Sequence, residues 1–550
     1  MFAISSLLVS ILFLQLQSSL PTQAAPLARE SPNYEPFQIP LPIPPIKKPS
    51  TTYTDPKSGI PIDFYEIEVK PFEKNLFPGL GKASLLGYDG MFPGPTFQVE
   101  KGRETVIRVV NSGERNVSMH LHGSFTWDGW AVDVTPPGYY KDYYHPNNAA
   151  RTLWFHDHTD GITARNVYTG LAGLYTITDT ALETRLGLPV SSPYDVPLIL
   201  TSHFFNTEGG FAEKADEKNS IFGDTFMVNG AVAPFMEVEP RRYRFRVLNA
   251  AVSRSFTLGL VDGEAEVPMS VIGSDGGLRE SPVETNKLVA SMAERWEIII
   301  DFTPFASKSL TLTQTNTFAD DSYSASPTTP LLQFRVGNKV SSQTGNGPLA
   351  ARLLPSSSLS VTTKPVRERK FELTSHMDSM WQINGRSFAD PNNRVLMSPP
   401  LGAVEKFTFS STGMMGRGSW THAMHLHLVE MVIISRNSSD GKGRSIVEPY
   451  EAGAIKDVVT LGDGETIEVL ARFIPWTGIY MFHCHNLVHE DNGMMGAFNV
   501  TALPDFGYDE ATTALEDPMD EKFRAKKYEG TDLERVSTEV LPAFRALGAY

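Results

Sequence analysis

One cysteine occurs in 550 residues, and it stands between two histidines, in Met481-Phe482-His483-Cys484-His485-Asn486-Leu487-Val488-His489-Glu490-Asp491-Asn492-Gly493-Met494. A thiolate, two imidazoles and a long, weakly held thioether are the ligand set of an electron-transfer copper. Cys484, His489 and Met494 supply three of these, five and ten residues apart from the cysteine, and one imidazole must come from elsewhere. In an extended segment alternate side chains share a face. His483 and His485 therefore turn away from the Cys484 side, toward a second metal site joined to the first by a few covalent bonds.

The remaining histidines follow the same logic. Of 13 in the chain, ten fall in four short windows: Met119-His120-Leu121-His122-Gly123, Trp154-Phe155-His156-Asp157-His158, His422-Ala423-Met424-His425-Leu426-His427 and the opening stretch. A His-x-His pair on a strand sends both imidazoles to one side. His422, outside the pair of its window, is the natural fourth ligand beside Cys484, His489 and Met494. Four pairs then remain: His120 with His122, His156 with His158, His425 with His427, and His483 with His485. Eight neutral nitrogen ligands suffice for a cluster of several coppers with open positions. Two pairs lie early in the chain and two late, so the cluster must sit at a seam between distant domains. His145, His203 and His376 are read as structural.

Between these windows run short β-branched and aromatic stretches such as Val106-Ile107-Arg108-Val109-Val110, separated by Gly, Pro and Asn turns, the texture of β-sandwiches. The chain also repeats itself. Asp89-Gly90, followed by Pro93-Gly94-Pro95 and the run ending at Asn111, resembles Asn229-Gly230, Ala233-Pro234 and the run ending at Asn249; a weaker copy starts at Asn384-Gly385 and reaches Phe407-Thr408-Phe409. One domain type copied three times is expected, over 50–190, 191–350 and 351–507. The predicted fold class is all-β: three consecutive Greek-key β-sandwich domains, then a short helical tail over 508–550.

The four histidine windows resemble the four copper-binding motifs of the multicopper oxidases, a family pattern covering about residues 60–505. The resemblance implies cupredoxin-like domains, the middle one without copper, and four copper ions: one type 1, one type 2 and a type 3 pair. Matched by motif, His120 and His425 would bind the type 2 ion. His122, His156, His158, His427, His483 and His485 would hold the type 3 pair. Within the family the chain most resembles the bilirubin oxidases and spore-coat laccase-like enzymes, in Trp420-Thr421-His422, Asp128-Gly129-Trp130, Ala251-Val252-Ser253-Arg254-Ser255-Phe256 and Ser291-Met292-Ala293-Glu294-Arg295. Leu121 and Met494 stand where fungal laccases usually carry a Trp and a non-ligating residue. The loop 412–419, with Met414, Met415 and Arg417, departs from the nearest relatives.

The resemblance implies one-electron oxidation of a small aromatic or tetrapyrrole reductant, with dioxygen as acceptor and water as product. Asp128 and Glu490 are the candidate proton-delivering acids, and Trp420 and Asn486 the candidate donor-facing residues. Two alternatives stay open: a cuprous or ferrous ion oxidase, for which Met377, Met380, Met414, Met415 and Met424 could form a soft patch, and a copper-binding electron carrier without turnover.

Composition places the chain in its surroundings. A formal charge of −15 and no basic stripe argue against a nucleic-acid partner. Residues 3–16 read as the apolar core of a signal peptide over 1–25, followed by a Pro-rich propeptide or arm over 26–49. No later run of eighteen apolar residues predicts a membrane span. Sequons at Asn116, Asn437 and Asn499 fit a secreted glycoprotein. The oligomeric state is open, with a monomer the default expectation.

Overall fold

The turns that mark the repeat adopt one geometry three times. Asp89-Gly90, Asn229-Gly230 and Asn384-Gly385 all have positive φ at both residues, the conformation of a type I′ turn, which Asn, Asp and Gly tolerate best. In each, the Asx side chain accepts a backbone N–H from the neighbouring strand: Glu68 N at 2.9 Å, Ile199 N at 2.8 Å and Glu372 N at 2.7 Å. The turn chemistry read in the sequence is thus a clamp copied with each domain.

The computed structural model describes residues 30–126, 131–212, 218–316, 318, 328–375, 381–411, 420–439, 441, 443–502 and 523–546. Asp128, His376, Met377, Met380, Met414, Met415, the signal segment and, of the expected tail, residues 508–522 and 547–550 lie outside them. Among the described residues the strands form three cupredoxin-like sandwiches in chain order. Six- and four-stranded sheets make the first, seven- and six-stranded sheets the second, and two five-stranded sheets the third. Each repeats one parallel pairing: Pro61–Lys74 beside Glu104–Asn111, Asp195–His203 beside Arg242–Asn249, and Arg367–Ser375 beside Val404–Ser411.

Each sandwich has its own core, but a further buried cluster belongs to all three. It joins Trp154, Val167 and Leu174 of the first domain to Ile199, Leu248 and Met292 of the second and Ala423, Val458, Leu487 and Val488 of the third. Full burial of one such aliphatic or aromatic side chain is worth about 1.5–3 kcal/mol, so the seam is held as firmly as a domain interior. Trp154, Ala423, Leu487 and Val488 belong to the histidine windows themselves, and Val458 pairs with His425 across the sheet. The packing that closes the seam therefore also fixes the position of the windows.

Two segments tie the domains from outside. The Pro-rich stretch from residue 30 runs as an extended strap, with Leu41 N bonded to Phe235 O and Lys47 N to Thr96 O. Leu41 enters the core of the second sandwich, a place its proline-rich surroundings do not announce. At the other end, Lys526–Lys527 pairs with Tyr139–His145 of the first domain. A helical stretch then follows, with a π turn over Val536–Val540 just before Pro542. Proline breaks the regular ladder and clashes with the preceding turn, which accounts for the wider turn there. Val536 and Leu541 bury against Ile62, Phe64 and Val106, so the last segment returns to the first domain.

Candidate metal centres

Strand register assembles the imidazoles. In the first domain Met119–His122 pairs antiparallel with Arg151–Asp157, setting His120 opposite His156; in the third, His422–Leu426 pairs with Gly478–Cys484, setting His425 opposite His483. Alternation then places the partners of each pair on the same face. The two faces meet at the seam, where His122 stacks on His425 with ring centroids 3.6 Å apart and His120 on His427 at 4.0 Å.

Three groups of ring nitrogens converge within 4.8 Å: His120, His122 and His425; His122, His156 and His485; and His158, His427 and His483. Nε2 of His483 lies 3.1 Å from Nε2 of His158 and 3.3 Å from that of His427, and the Nε2 atoms of His120 and His425 are 3.4 Å apart. Metal–imidazole bonds of about 2 Å put neighbouring ligand nitrogens about 3–3.5 Å apart. The outward nitrogens are meanwhile engaged. His156 Nδ1–H donates to Asp157 O at 2.8 Å and His425 Nδ1–H to Asp457 O at 3.0 Å. The inward Nε2 atoms of His156 and His485 are buried without a hydrogen-bond partner. His122 is turned the other way round: its Nε2 meets Asp457 Oδ1 at 3.2 Å, and its Nδ1 is the buried atom without a partner. Buried lone pairs converging at ligand spacing fit metal ions between them.

Burial, reinforced by neighbouring imidazoles, holds His120, His122, His156, His425, His427 and His485 well below the ordinary histidine range. They stay neutral, the form that ligates. Glu490 adds a charge at the rim, with Oε2 2.8 Å from His483 Nδ1 and Oε1 3.4 Å from His158 Nδ1. Burial works against its ionisation, but His483 and His158 hold its carboxyl down to about 2.

The cysteine site is separate and equally buried. Cys484 Sγ lies 3.5 Å from His422 Nδ1 and 3.7 Å from His489 Nδ1, and those two nitrogens are 3.2 Å apart, the spacing of three ligands around one ion. The extended run ends at Cys484. Leu487–Asp491 is a short helix whose cap, Asn486, accepts Val488 N, and that turn brings His489 back to the sulfur. Met494 is fully buried in the same core as Cys484, and its carbonyl accepts the Cys484 N–H at 3.0 Å. Asn486 N also donates to the sulfur at 3.4 Å.

The expected donor-facing residues divide. Trp420 is half-buried, its ring edge-on to His489 at 6.1 Å. Asn486 does not face a donor: it is 1% exposed. Its amide is taken up inside the protein, receiving Ser253 Oγ–H and donating to Ser220 Oγ, both at 2.8 Å. Met424 is core rather than a surface patch. Sequence reasoning missed Trp381, which stacks on His489 at 3.6 Å while donating its indole N–H to Lys218 O at 3.0 Å. Its nearness to the third Asn-Gly turn was the only available sign. It also missed Asp457.

Comparison with known proteins agrees with this geometry. Three family models, each described as multicopper oxidase, match residues 73–181, 165–326 and 362–503. The chain is 46% identical over 520 residues to a bilirubin oxidase of Albifimbria verrucaria, covering 92% of this chain and 87% of that one. It is 32% identical to a laccase of Bacillus subtilis over 85% of this chain and 99% of the relative. A crystal structure of a variant of the multicopper oxidase McoA from Aquifex aeolicus superposes with a TM-score of 0.72 at 25% identity, over 84% of this chain and all of that one. The chain belongs to the multicopper oxidases, enzymes that bind four copper ions and pass electrons to dioxygen.

Without metal, the buried neutral imidazoles set a pH dependence. An unfolded histidine titrates near 6.5, whereas burial depresses His422 to about 3 and the cluster histidines well below 6.5. Below about pH 6.5 the unfolded chain binds protons that the folded chain refuses, so stability falls as pH falls, by about 1.4 kcal/mol per unit for each such group. Thermal unfolding of copper-stripped protein between pH 8 and 4, compared with the copper-loaded form, should show a steep acid loss that copper shifts downward. A flat profile for the stripped protein would contradict the burial described here.

Proposed function

We propose that this is a secreted oxidase of bilirubin-like tetrapyrroles and phenolic compounds. The observation that carries the reading is the buried Cys484, His422 and His489 triad with Met494 beside it, linked through one residue on each side to a nest of eight imidazoles. His422, Cys484, His489 and Met494 would hold the type 1 ion, His120 and His425 the type 2 ion, and the other six histidines the type 3 pair. Copper supplies the one-electron steps at the first centre and the four-electron, four-proton conversion of dioxygen to two waters at the second. Among the described residues no helix is long and apolar enough to cross a membrane, in keeping with export behind the predicted signal.

The residues then have distinct tasks. Trp420, half-buried over His489, is the donor-facing ring, and Trp381 pins the imidazole flat against the site. The Cys484 backbone and side chain join the donor side to His483 and His485, whose rings lie in two of the three three-histidine groups. Glu490, held ionised against His483 and His158, is placed to receive a proton and pass it on rather than to store one. Asp128 is proposed as the second acid. The similarity to a bilirubin oxidase supports the tetrapyrrole reading.

Oxygen uptake by purified, copper-loaded protein tests the donor class. Turnover with bilirubin and simple phenols should exceed that with cuprous or ferrous ions. Rapid turnover of the metal ions with inert phenols and bilirubin would replace the reading with a metal-ion oxidase. Glu490→Gln keeps the shape of the side chain but removes the proton acceptor, and should slow oxygen reduction by about 10²–10⁴-fold with the blue colour intact. Turnover within a few-fold of wild type would remove Glu490 from the proton path.

A further inference from the structure

Among the described residues none of the groups that could hold a metal includes a residue of the middle domain, yet its Arg295 is fully buried beside the histidine cluster. All five of its side-chain N–H groups are engaged, a full complement for a guanidinium. Nε donates to Thr152 O of the first domain at 3.1 Å. Nη1 donates to Ala293 O at 3.0 Å and to Asp457 Oδ1 of the third domain at 2.7 Å. Nη2 reaches Asp457 Oδ2 at 2.5 Å and Asp275 O at 3.4 Å. Three domains thus meet on one side chain.

Asp457, gripped in that fork, touches two of the cluster histidines. Its carboxylate accepts from His122 Nε2 at 3.2 Å, and its carbonyl accepts from His425 Nδ1 at 3.0 Å. The carboxylate contact keeps the proton of His122 on Nε2 and leaves Nδ1 aimed into the cluster, the reverse of His156 and His425. Asp457 is itself held from behind, its backbone N–H donating to Asp275 Oδ2 at 3.2 Å, and Lys456 Nζ lies 3.0 Å from the same oxygen. Gly123, next to His122, has φ +86°, and a Cβ there would come within 2.5 Å of Arg295 Nη2 and 2.7 Å of Asp457 Oδ2. Only glycine lets the first domain close on this pair.

We infer that Arg295 and Asp457 are positioning residues for the copper cluster, through which the copper-free middle domain fixes the tautomer and orientation of His122 and the orientation of His425 at once. The inference rests on the assignment of these histidines as copper ligands. A carboxylate behind a ligating imidazole sets which nitrogen binds and how firmly, and losing such a partner typically costs about 10–100-fold in metal affinity. Arg295 also lies 3.6 Å from Asp275, but either partner of the fork alone would lose its nearest counter-charge in a buried place. The two therefore act as a unit.

Holoprotein carrying Asp457→Asn, Arg295→Lys or the double change Arg295→Met with Asp457→Leu tests this. The double variant is apolar at both positions and leaves no lone charge to unfold the chain. Three quantities are read: copper per chain during titration with a chelator, the electron paramagnetic resonance of the type 2 ion, and the visible thiolate–copper absorption as an internal control. We expect cluster copper to be lost about 10–100-fold more readily, with altered type 2 hyperfine splitting and unchanged thiolate absorption. Arg244→Lys is the structural control. Arg244 lies in a buried network with Glu183 and Glu297, and its replacement should lower stability without moving either copper signal. Wild-type copper retention and resonance in the folded double variant would overturn the inference, as would equal loss of cluster copper in Arg244→Lys. A colourless, copper-poor wild type would instead sink the underlying ligand assignment.

Discussion

Lone pairs on ring nitrogens repel, and this protein crowds them together where no water can separate them. Nε2 of His483 sits about one ligand spacing from both His158 and His427, with its Nδ1 already given to Glu490. Burial disfavours the charged form of His120, His425 and His427 beside it. Cations between the rings would relieve the contact. The rest of the architecture can be understood as the means of holding that arrangement against its own repulsion until metal enters.

The means are ordinary elements used in an unusual place. Antiparallel register sets histidines opposite one another in two sandwiches far apart in sequence, and the shared apolar cluster around Trp154, Leu248 and Val458 presses those sandwiches together. A single helical turn over Leu487–Asp491 folds the chain back so that one short window serves the cysteine site through His489 and the cluster through His483 and His485. The middle sandwich acts as a brace whose buried arginine reaches both neighbours. The strap carrying Leu41 and the returning tail around Leu541 bind the outer edges.

How much of this could be read from the chain depends on the range of each signal. The four histidine windows and the single cysteine were legible because strand alternation is a rule of period two, and the three Asx-Gly turns because their backbone demands few residue types. Contacts between elements distant in sequence were not. Asp457 looks like any acid before a strand, and only the approach of Arg295, 162 residues away, gives it meaning. Trp381 is a lone aromatic until it lies flat on His489. Asn486, two residues after Cys484, suggested a donor-facing position, but its cap and its bonds to Ser253 and Ser220 hold it inside.

The central claim is that one sulfur relays charge from an outside reductant to the imidazole nest. Rapid mixing of anaerobically reduced, copper-loaded protein with dioxygen, comparing wild type with Cys484→Ser, tests it most directly. The account predicts that wild type regains its blue colour as oxygen is consumed and then turns over steadily with donor. The serine variant should be colourless and, after at most one discharge of its cluster, cease to consume oxygen. Sustained wild-type turnover in the serine variant would contradict it.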